Sequence, residues 1–295
     1  MNIEVQPGRY VVAVSGGVDS VVLLHMLTRM PNMQLIMAHF DHGIREDSAE
    51  DRRLVEQLSQ VYKLPFVYDE GKLGSKASEA VARNARYAFL RNARNKSRSR
   101  AIITAHHQDD VIETALLNLL RGTGRKGLGS LRSTDGIVRP LLNIPKAELI
   151  VYAKAHNLQW REDSTNFDET YKRNYVRHNL VPKLTSKQRE ELLTYITRIH
   201  DINHKIDTEL ANHLHVQPNA TQLNRRYFTQ LPHSIAKEML AAWLRRAGIR
   251  DFDSRALQRI VVGAKTLDTG ANIDIDARYK LVINKSNLAL ELRDR

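Results

Sequence analysis

Short apolar runs alternate with longer amphipathic stretches through the first half of the chain. Residues 10–15 (Tyr-Val-Val-Ala-Val-Ser) have the pattern of a buried strand, and a 3.6-residue periodicity from about 19 to 30 predicts a helix. The same alternation predicts strands at 34–40, 66–68 and 101–105. It predicts helices at 48–62, 78–97 and 108–121, the last carrying Val111, Ala115, Leu116 and Leu119 on one face. Strands that alternate with helices form a parallel sheet covered on both faces, and such sheets bind ligands beyond the carboxyl ends of their strands. A Gly-rich stretch at 121–129 and a helix at 146–157 follow. Beyond Trp160 the pattern is helical, with a long helix at 187–215 and a helical pair at 234–247 and 253–263 around Gly248; short antiparallel strands follow at 271–276, 279–284 and 287–292. The expected fold class is α/β: a Rossmann-like doubly wound parallel sheet with a small, mainly helical C-terminal α+β domain. We place the boundary near 215, giving a catalytic domain with a helical extension at 1–215 and a small domain at 216–295.

Composition narrows the chemistry. The 295 residues are 42% hydrophobic and 26% charged, as in folded chains. Lysine and arginine number 45 against 33 acids, and the net charge of +12 favours a polyanionic partner such as nucleic acid. Cysteine is absent, which excludes disulfides, Cys-ligated zinc or iron–sulfur sites, persulfide chemistry and a catalytic thiol. No apolar run reaches the roughly 18 residues of a membrane span, and residues 1–10 hold no apolar signal core, so a cytoplasmic location without a membrane partner is expected.

Ser15-Gly16-Gly17-Val18-Asp19-Ser20 sits where the first strand meets the first helix. Two glycines allow a tight turn and close backbone approach, and a helix N-terminus offers free amides and a positive dipole to a phosphate. The loop is shorter than GxxxxGK[ST] and lacks its lysine, which disfavours a γ-phosphate-transferring NTPase of that type. Asp110 and Glu113, spaced i, i+3, place two carboxylates on one helix face, able to hold an ammonium or a metal or to accept a proton. His39, His42, His106 and His107 follow no zinc-ligand spacing, and no resident metal site is expected. Two basic tracts contain no acid: Arg83, Arg86, Arg91, Arg94, Lys96, Arg98 and Arg100, then Lys172, Arg173, Arg177, Lys183, Lys187 and Arg189 with Tyr171 and Tyr175 interleaved. Such tracts suit sequence-independent phosphate contacts.

The SGGVDS string resembles the PP-loop of the N-type ATP pyrophosphatases, which split ATP into AMP and pyrophosphate to adenylate a substrate oxygen. Four further strings narrow the resemblance: His-Phe-Asp-His-Gly-Ile-Arg at 39–45, Arg-Asn-Ala-Arg-Tyr at 83–87, His-His-Gln-Asp-Asp-Val-Ile-Glu-Thr at 106–114 and Arg-Gly-Thr-Gly at 121–124. With Asn174 and Arg177 they are similar to the tRNA(Ile)-lysidine synthetase family, over about residues 10 to 185. The resemblance implies ATP-dependent adenylation of the C2 oxygen of the wobble cytidine in a CAU-anticodon tRNA(Ile). Displacement of AMP by the ε-amine of free L-lysine then changes codon reading from AUG to AUA. ATP and Mg²⁺ are the implied cofactors. Ser15, Gly16, Gly17, Val18, Asp19, Ser20, His39, Gly122, Thr123 and Gly124 are implied at ATP; Asp19, Asp41, Arg86, His106, Asp110 and Glu113 in catalysis; Asp110 and Glu113 at the substrate lysine. Arg83, Arg91, Arg94, Arg173 and Arg177 are implied at tRNA, a homodimer is implied by relatives, and the small domain is expected to touch tRNA through Arg245, Arg246, Arg250 and Arg255.

Rivals with the same loop are weaker. A tRNA thiolase needs cysteines for sulfur transfer, and a glutamine-dependent ligase needs a cysteine glutaminase domain. Ammonia-using ligases are opposed by the HHQDD and RGTG strings. A silent RNA-binding module that merely holds ATP has no chemical need for Asp19, Arg86, Asp110 and Glu113 together.

Overall fold

A computed structural model describes all residues except 44–47, 72–73, 75–78, 124, 162–171, 216–220, 250–251 and 294–295. Arg45, Gly124, Tyr171 and Arg250, with the side chains of Ser48 and Lys172, lie outside the described residues. Two compact units divide the chain, Met1–Ile199 and His200–Arg295.

The first unit is built on β1 (Gly8–Ala13), β2 (Met33–Asp41), β3 (Phe66–Glu70), β4 (Ala101–Ile103) and β5 (Ile137–Val138), in the order β3-β2-β1-β4-β5. Every pairing is parallel. The helices between them are α1 (Val18–Thr28), α2 (Ser48–Val61), α3 (Glu79–Lys96), α4 (Gln108–Leu120), the short α5 (Arg125–Leu128) and α6 (Lys146–Ala155). Burial on both faces explains why the strands read as unbroken apolar runs. Tyr10, Val12 and Val14 pack with Leu23, Leu24 and Leu27 of α1 and with Leu149 and Ala153 of α6, while Val11, Ala38 and Ile102 pack with Leu90 of α3. Each of the three α1 leucines is fully buried, worth roughly 1.5–3 kcal/mol apiece. α7 (Lys172–Tyr175) continues as a π turn, Val176–Leu180, and a tighter turn, Val181–Lys183; Val176 and Val181 pack with Ile112 and Leu117 of α4.

Strand β5 was not expected. Two residues are too short to generate a periodicity, and the pair is recruited to the sheet edge by register, Ile102 against Ile137 and Ile103 against Val138. The Gly-rich stretch contains α5, where a Cβ on Gly127 would collide with the Thr123 side chain.

Helix α8 (Ser186–His215) crosses from one unit to the next, and its Leu210 and Leu214 already belong to the second core. The packing therefore divides the chain within the helix, earlier than its end near 215. The second unit has an antiparallel sheet, β6-β9-β8-β7, of β6 (Gln222–Asn224), β7 (Asn272–Asp274), β8 (Tyr279–Ile283) and β9 (Asn287–Leu292). With it come α9 (Arg225–Gln230), α10 (His233–Arg246) and α11 (Ser254–Thr266). β6, also unanticipated, has one apolar residue, Leu223, and is held by pairing with β9 and by burying that leucine. Among the described residues no helix is long and apolar enough to cross a membrane. Trp243, 1% exposed, centres the second core. Trp243→Ala is expected to cost the second unit about 3–5 kcal/mol, read as a lower urea midpoint by circular dichroism.

Candidate active site

The strand order reverses at β1, whose neighbours are β2 and β4, so a crevice opens beyond the carboxyl ends of β1 and β4. The Ser15–Ser20 loop fills the β1 side. Gly16 has φ +94°, a conformation that favours glycine, and its carbonyl accepts from the Arg161 amide at 3.0 Å. Ser20 Oγ donates to the Gly17 carbonyl at 2.9 Å and accepts from the Ser15 amide at 3.1 Å. These bonds shape the loop around the N-terminus of α1, where amides and dipole favour an anion. Arg161 ties the loop to α2 through Asp51 at 3.0 Å and through Glu50.

Acids and cations alternate across the crevice. His107, buried, lies with Nε2 at 3.5 Å from both Asp19 and Asp110 and Nδ1 at 3.8 Å from Asp109. Burial alone would lower the His107 ring, but its hydrogen bond to Asp19 and the charges of Asp110 and Asp19 raise it above the ordinary imidazole range. Burial alone would raise Asp19, yet His107, Lys146 and Arg177 hold it below the ordinary carboxylate range. Lys146 Nζ reaches Asp19 at 3.6 Å, and the Lys146 amide donates to Asp109 at 2.8 Å. Arg189 donates to Asp109 at 2.7 Å. Glu113, with its side chain only 3% exposed, receives a two-pronged contact from Arg177, Nε at 2.7 Å and Nη2 at 2.9 Å; Arg177 also lies 3.6 Å from Asp110.

His106, next in sequence to His107, faces different partners. Its Nδ1 meets Thr104 Oγ1 at 2.9 Å. Burial, then the charges of Arg139, Arg86, Arg83 and Arg173, push its ring well below the ordinary range, so it is neutral. Arg86 lies beside Tyr87, 5.5 Å from guanidinium carbon to ring centroid. On the β2 side, His39 is buried with Nδ1 at 2.8 Å from the Val14 carbonyl and stacks on Tyr68; burial lowers its ring below the usual value. Asp41 accepts from the Gly43 amide at 2.8 Å.

Gly122, Thr123 and Arg94 lie apart from the crevice. Gly122 and Thr123 follow the C-terminus of α4, about 18 Å along the axis from Asp110 at 1.5 Å per residue. Thr123 Oγ1 there donates to the Asn118 carbonyl at 3.0 Å. Arg94 donates to the Ser99 carbonyl at 3.4 Å, just before β4 and so at the opposite sheet edge. Arg173 donates to Thr114 at 3.3 Å. Arg177, grouped by composition with the RNA-facing cations, commits its guanidinium to Glu113 and Asp110. Residues passed over in the sequence are Lys146 and Arg139; Arg189, grouped there with the phosphate-facing cations, pairs with Asp109. Lys146 had a detectable signal, a cation opening a helix directly after Pro145; Arg139 follows a strand too short to see.

A family model, the PP-loop domain ATP_bind_3, matches residues 2–184. The chain is 33% identical to a tRNA(Ile)-lysidine synthase of Nitrosomonas europaea, over 99% of this chain and 65% of that one. It is 39% identical to a tRNA(Ile)-lysidine synthase of Lactobacillus johnsonii, over 62% of this chain and 45% of that one. It thus spans less than two thirds of either relative's length. Among solved structures, a U34-tRNA thiolase from Methanococcus maripaludis has a TM-score of 0.54 at 17% identity, over 66% of this chain and 73% of that one, and shares the fold.

Two outcomes are expected. Imidazole NMR should find His107 titrating above about 6.5 and His106 below it, and Asp19→Asn should lower the His107 value. Because the folded His107 value is raised, its stabilisation is complete below the unfolded value and is lost as pH rises through the folded one, so Asp19→Asn should weaken that alkaline loss. Separately, Arg177→Ala should destabilise the first unit by about 2–3 kcal/mol in urea unfolding, because it strands a buried carboxylate; partial exposure of Arg177 keeps this at the low end for a buried pair.

Proposed function

The chain belongs to the PP-loop domain family, and from that premise we propose that it joins free L-lysine to the wobble cytidine of a CAU-anticodon tRNA(Ile) at the expense of ATP. The observation that carries the reading is the meeting, at one sheet edge, of the Ser15–Ser20 loop, Asp19 and the Asp110–Glu113 acid pair through His107. Relatives named tRNA(Ile)-lysidine synthase support it.

In the first step the cytosine C2 oxygen attacks the α-phosphate and the bond to pyrophosphate breaks. The loop amides and hydroxyls hold the phosphates; Lys146, beside Asp19, is the cation that offsets charge growing during attack. In the second step the neutral ε-amine of lysine attacks C2, the C2–O bond breaks and AMP leaves. Lysine arrives as an ammonium and gives one proton to Asp110, the assigned acceptor, to become that neutral amine; the second proton, released after the C–N bond forms, passes to water. Asp110 and Glu113 hold the incoming ammonium, with Arg177 keeping both carboxylates in place.

Asp19 Oδ1 is buried and meets no hydrogen-bond partner among the described residues, an oxygen suited to a magnesium ion that arrives with ATP. Such an ion supplies charge neutralisation on the departing pyrophosphate.

The direct test is incorporation of labelled lysine into a CAU-anticodon transcript with ATP and Mg²⁺, beside the same transcript with the wobble C changed to U. Label only in the first, with AMP released, is expected; ATP and tRNA binding without label would instead indicate a silent binder or another nucleophile. Asp110→Asn is expected to lower lysine incorporation by about 10²–10⁴-fold while leaving ATP affinity within about threefold. Equal loss of both would remove the assignment of Asp110 to lysine.

A further inference from the structure

Four guanidiniums gather around one aromatic ring on the β4–β5 side of the crevice. The guanidinium carbons of Arg83, Arg86 and Arg91, all on α3, lie 4.9, 5.5 and 5.7 Å from the Tyr87 ring centroid. Arg139, just past β5, donates from Nη2 to the Tyr87 hydroxyl at 3.3 Å and from Nη1 to the Arg132 carbonyl. Arg139 is 7% exposed, and its buried Nε meets no acceptor among the described residues; the same holds for Nε of Arg86. None of these four cations has an ion pair with a carboxylate among the described residues.

The contrast with the neighbouring acids is physical. Where carboxylates are buried on this edge, cations meet them; here Arg139 is buried and Arg83 and Arg86 are half-buried, and no carboxylate among the described residues meets them. Buried charge without a partner is strongly unfavourable, so this pocket is suited to an anion that the described residues do not provide. The neutral ring of His106 borders it, adding a polar group without adding charge. Its position separates it from the phosphate loop. Register places Val138 beside Ile103, so Arg139 stands two strands from β1, about 10 Å across the sheet.

We propose that Arg139, with Arg86 and Tyr87, forms a binding pocket for a backbone phosphodiester of the RNA substrate flanking the nucleotide that reacts. The inference rests on the function proposed above and adds the element that positions the RNA. A planar guanidinium matches the two free oxygens of a diester, and a fixed phosphate sets where the adjacent base lands.

The test uses the full chain and a synthetic RNA stem-loop with a CAU anticodon, in which the linkages flanking the wobble cytidine are replaced one at a time by neutral methylphosphonate. Binding is followed by fluorescence anisotropy without ATP or lysine, and ATP binding is measured separately. One replacement is expected to weaken binding to the wild type about tenfold, and Arg139→Gln to weaken the unmodified RNA about tenfold, with no further loss when the two are combined. ATP affinity should be unchanged. Additive losses, or a loss of ATP affinity with RNA binding intact, would overturn the pocket's assignment, the latter giving the anion to the nucleotide. Should Arg139→Gln fail to fold, Arg139→Lys, which keeps the charge but not the fork, should retain part of the sensitivity to the same linkage; full sensitivity would overturn the proposal. Failure of the functional reading is distinguishable: the stem-loop would bind with the expected linkage dependence, yet lysine would not be incorporated.

Discussion

Four carboxylates, Asp19, Asp109, Asp110 and Glu113, share the carboxyl edge of the parallel sheet, and everything around them is arranged to make that tolerable. His107 lies among three of them, Lys146 and Arg189 meet Asp109 or Asp19, and Arg177 grips Glu113. Uncompensated, such charges would cost several kcal/mol each. The compensating groups come from different segments: the start of α4, the start of α6, the π turn after α7 and the first half of α8. One electrostatic requirement therefore both assembles the site and anchors the peripheral helices of the first unit. The bidentate form of Arg177 on Glu113 matters here, since two parallel bonds fix orientation as well as charge.

The edge divides into two lobes of opposite character at adjacent residues. His107 enters the acidic lobe and is raised by it, whereas His106 enters the arginine lobe and is held neutral. Successive side chains in extended backbone point to opposite sides, so two adjacent residues between β4 and α4 can serve two environments with no change of fold. The acidic lobe suits an ammonium, and the arginine lobe suits phosphates. A reaction that brings an amine to a nucleotide needs both within reach of one activated carbon.

The parallel sheet and the phosphate loop were legible in the sequence because both are local. The apolar run at 10–15, the helical period after Asp19 and the adjacent glycines at 16 and 17 depend on neighbours within a few residues, and the strand-to-helix turn follows from them. The placement of Asp110 and Glu113 on one helix face was legible for the same reason, since i, i+3 spacing is a property of the helix itself. β5 and β6 were not, because two- and three-residue strands are held by register with a distant partner and not by their own pattern.

What composition grouped, the tertiary structure separated. The tract from 83 to 100 reads as one basic cluster, yet its helix runs across the sheet, so Arg83 and Arg86 reach the Tyr87 pocket while Arg94 binds the Ser99 carbonyl at the other edge. Arg177 sits in a basic tract but pairs with Glu113, 64 residues away. The sequence by itself determined the strands β1 to β4, the longer helices and the phosphate turn, because backbone preference and hydrophobic period act over short range. Only the tertiary structure decided which charge meets which, because pairing is set by the strand order and helix packing that bring distant side chains to the same few ångströms.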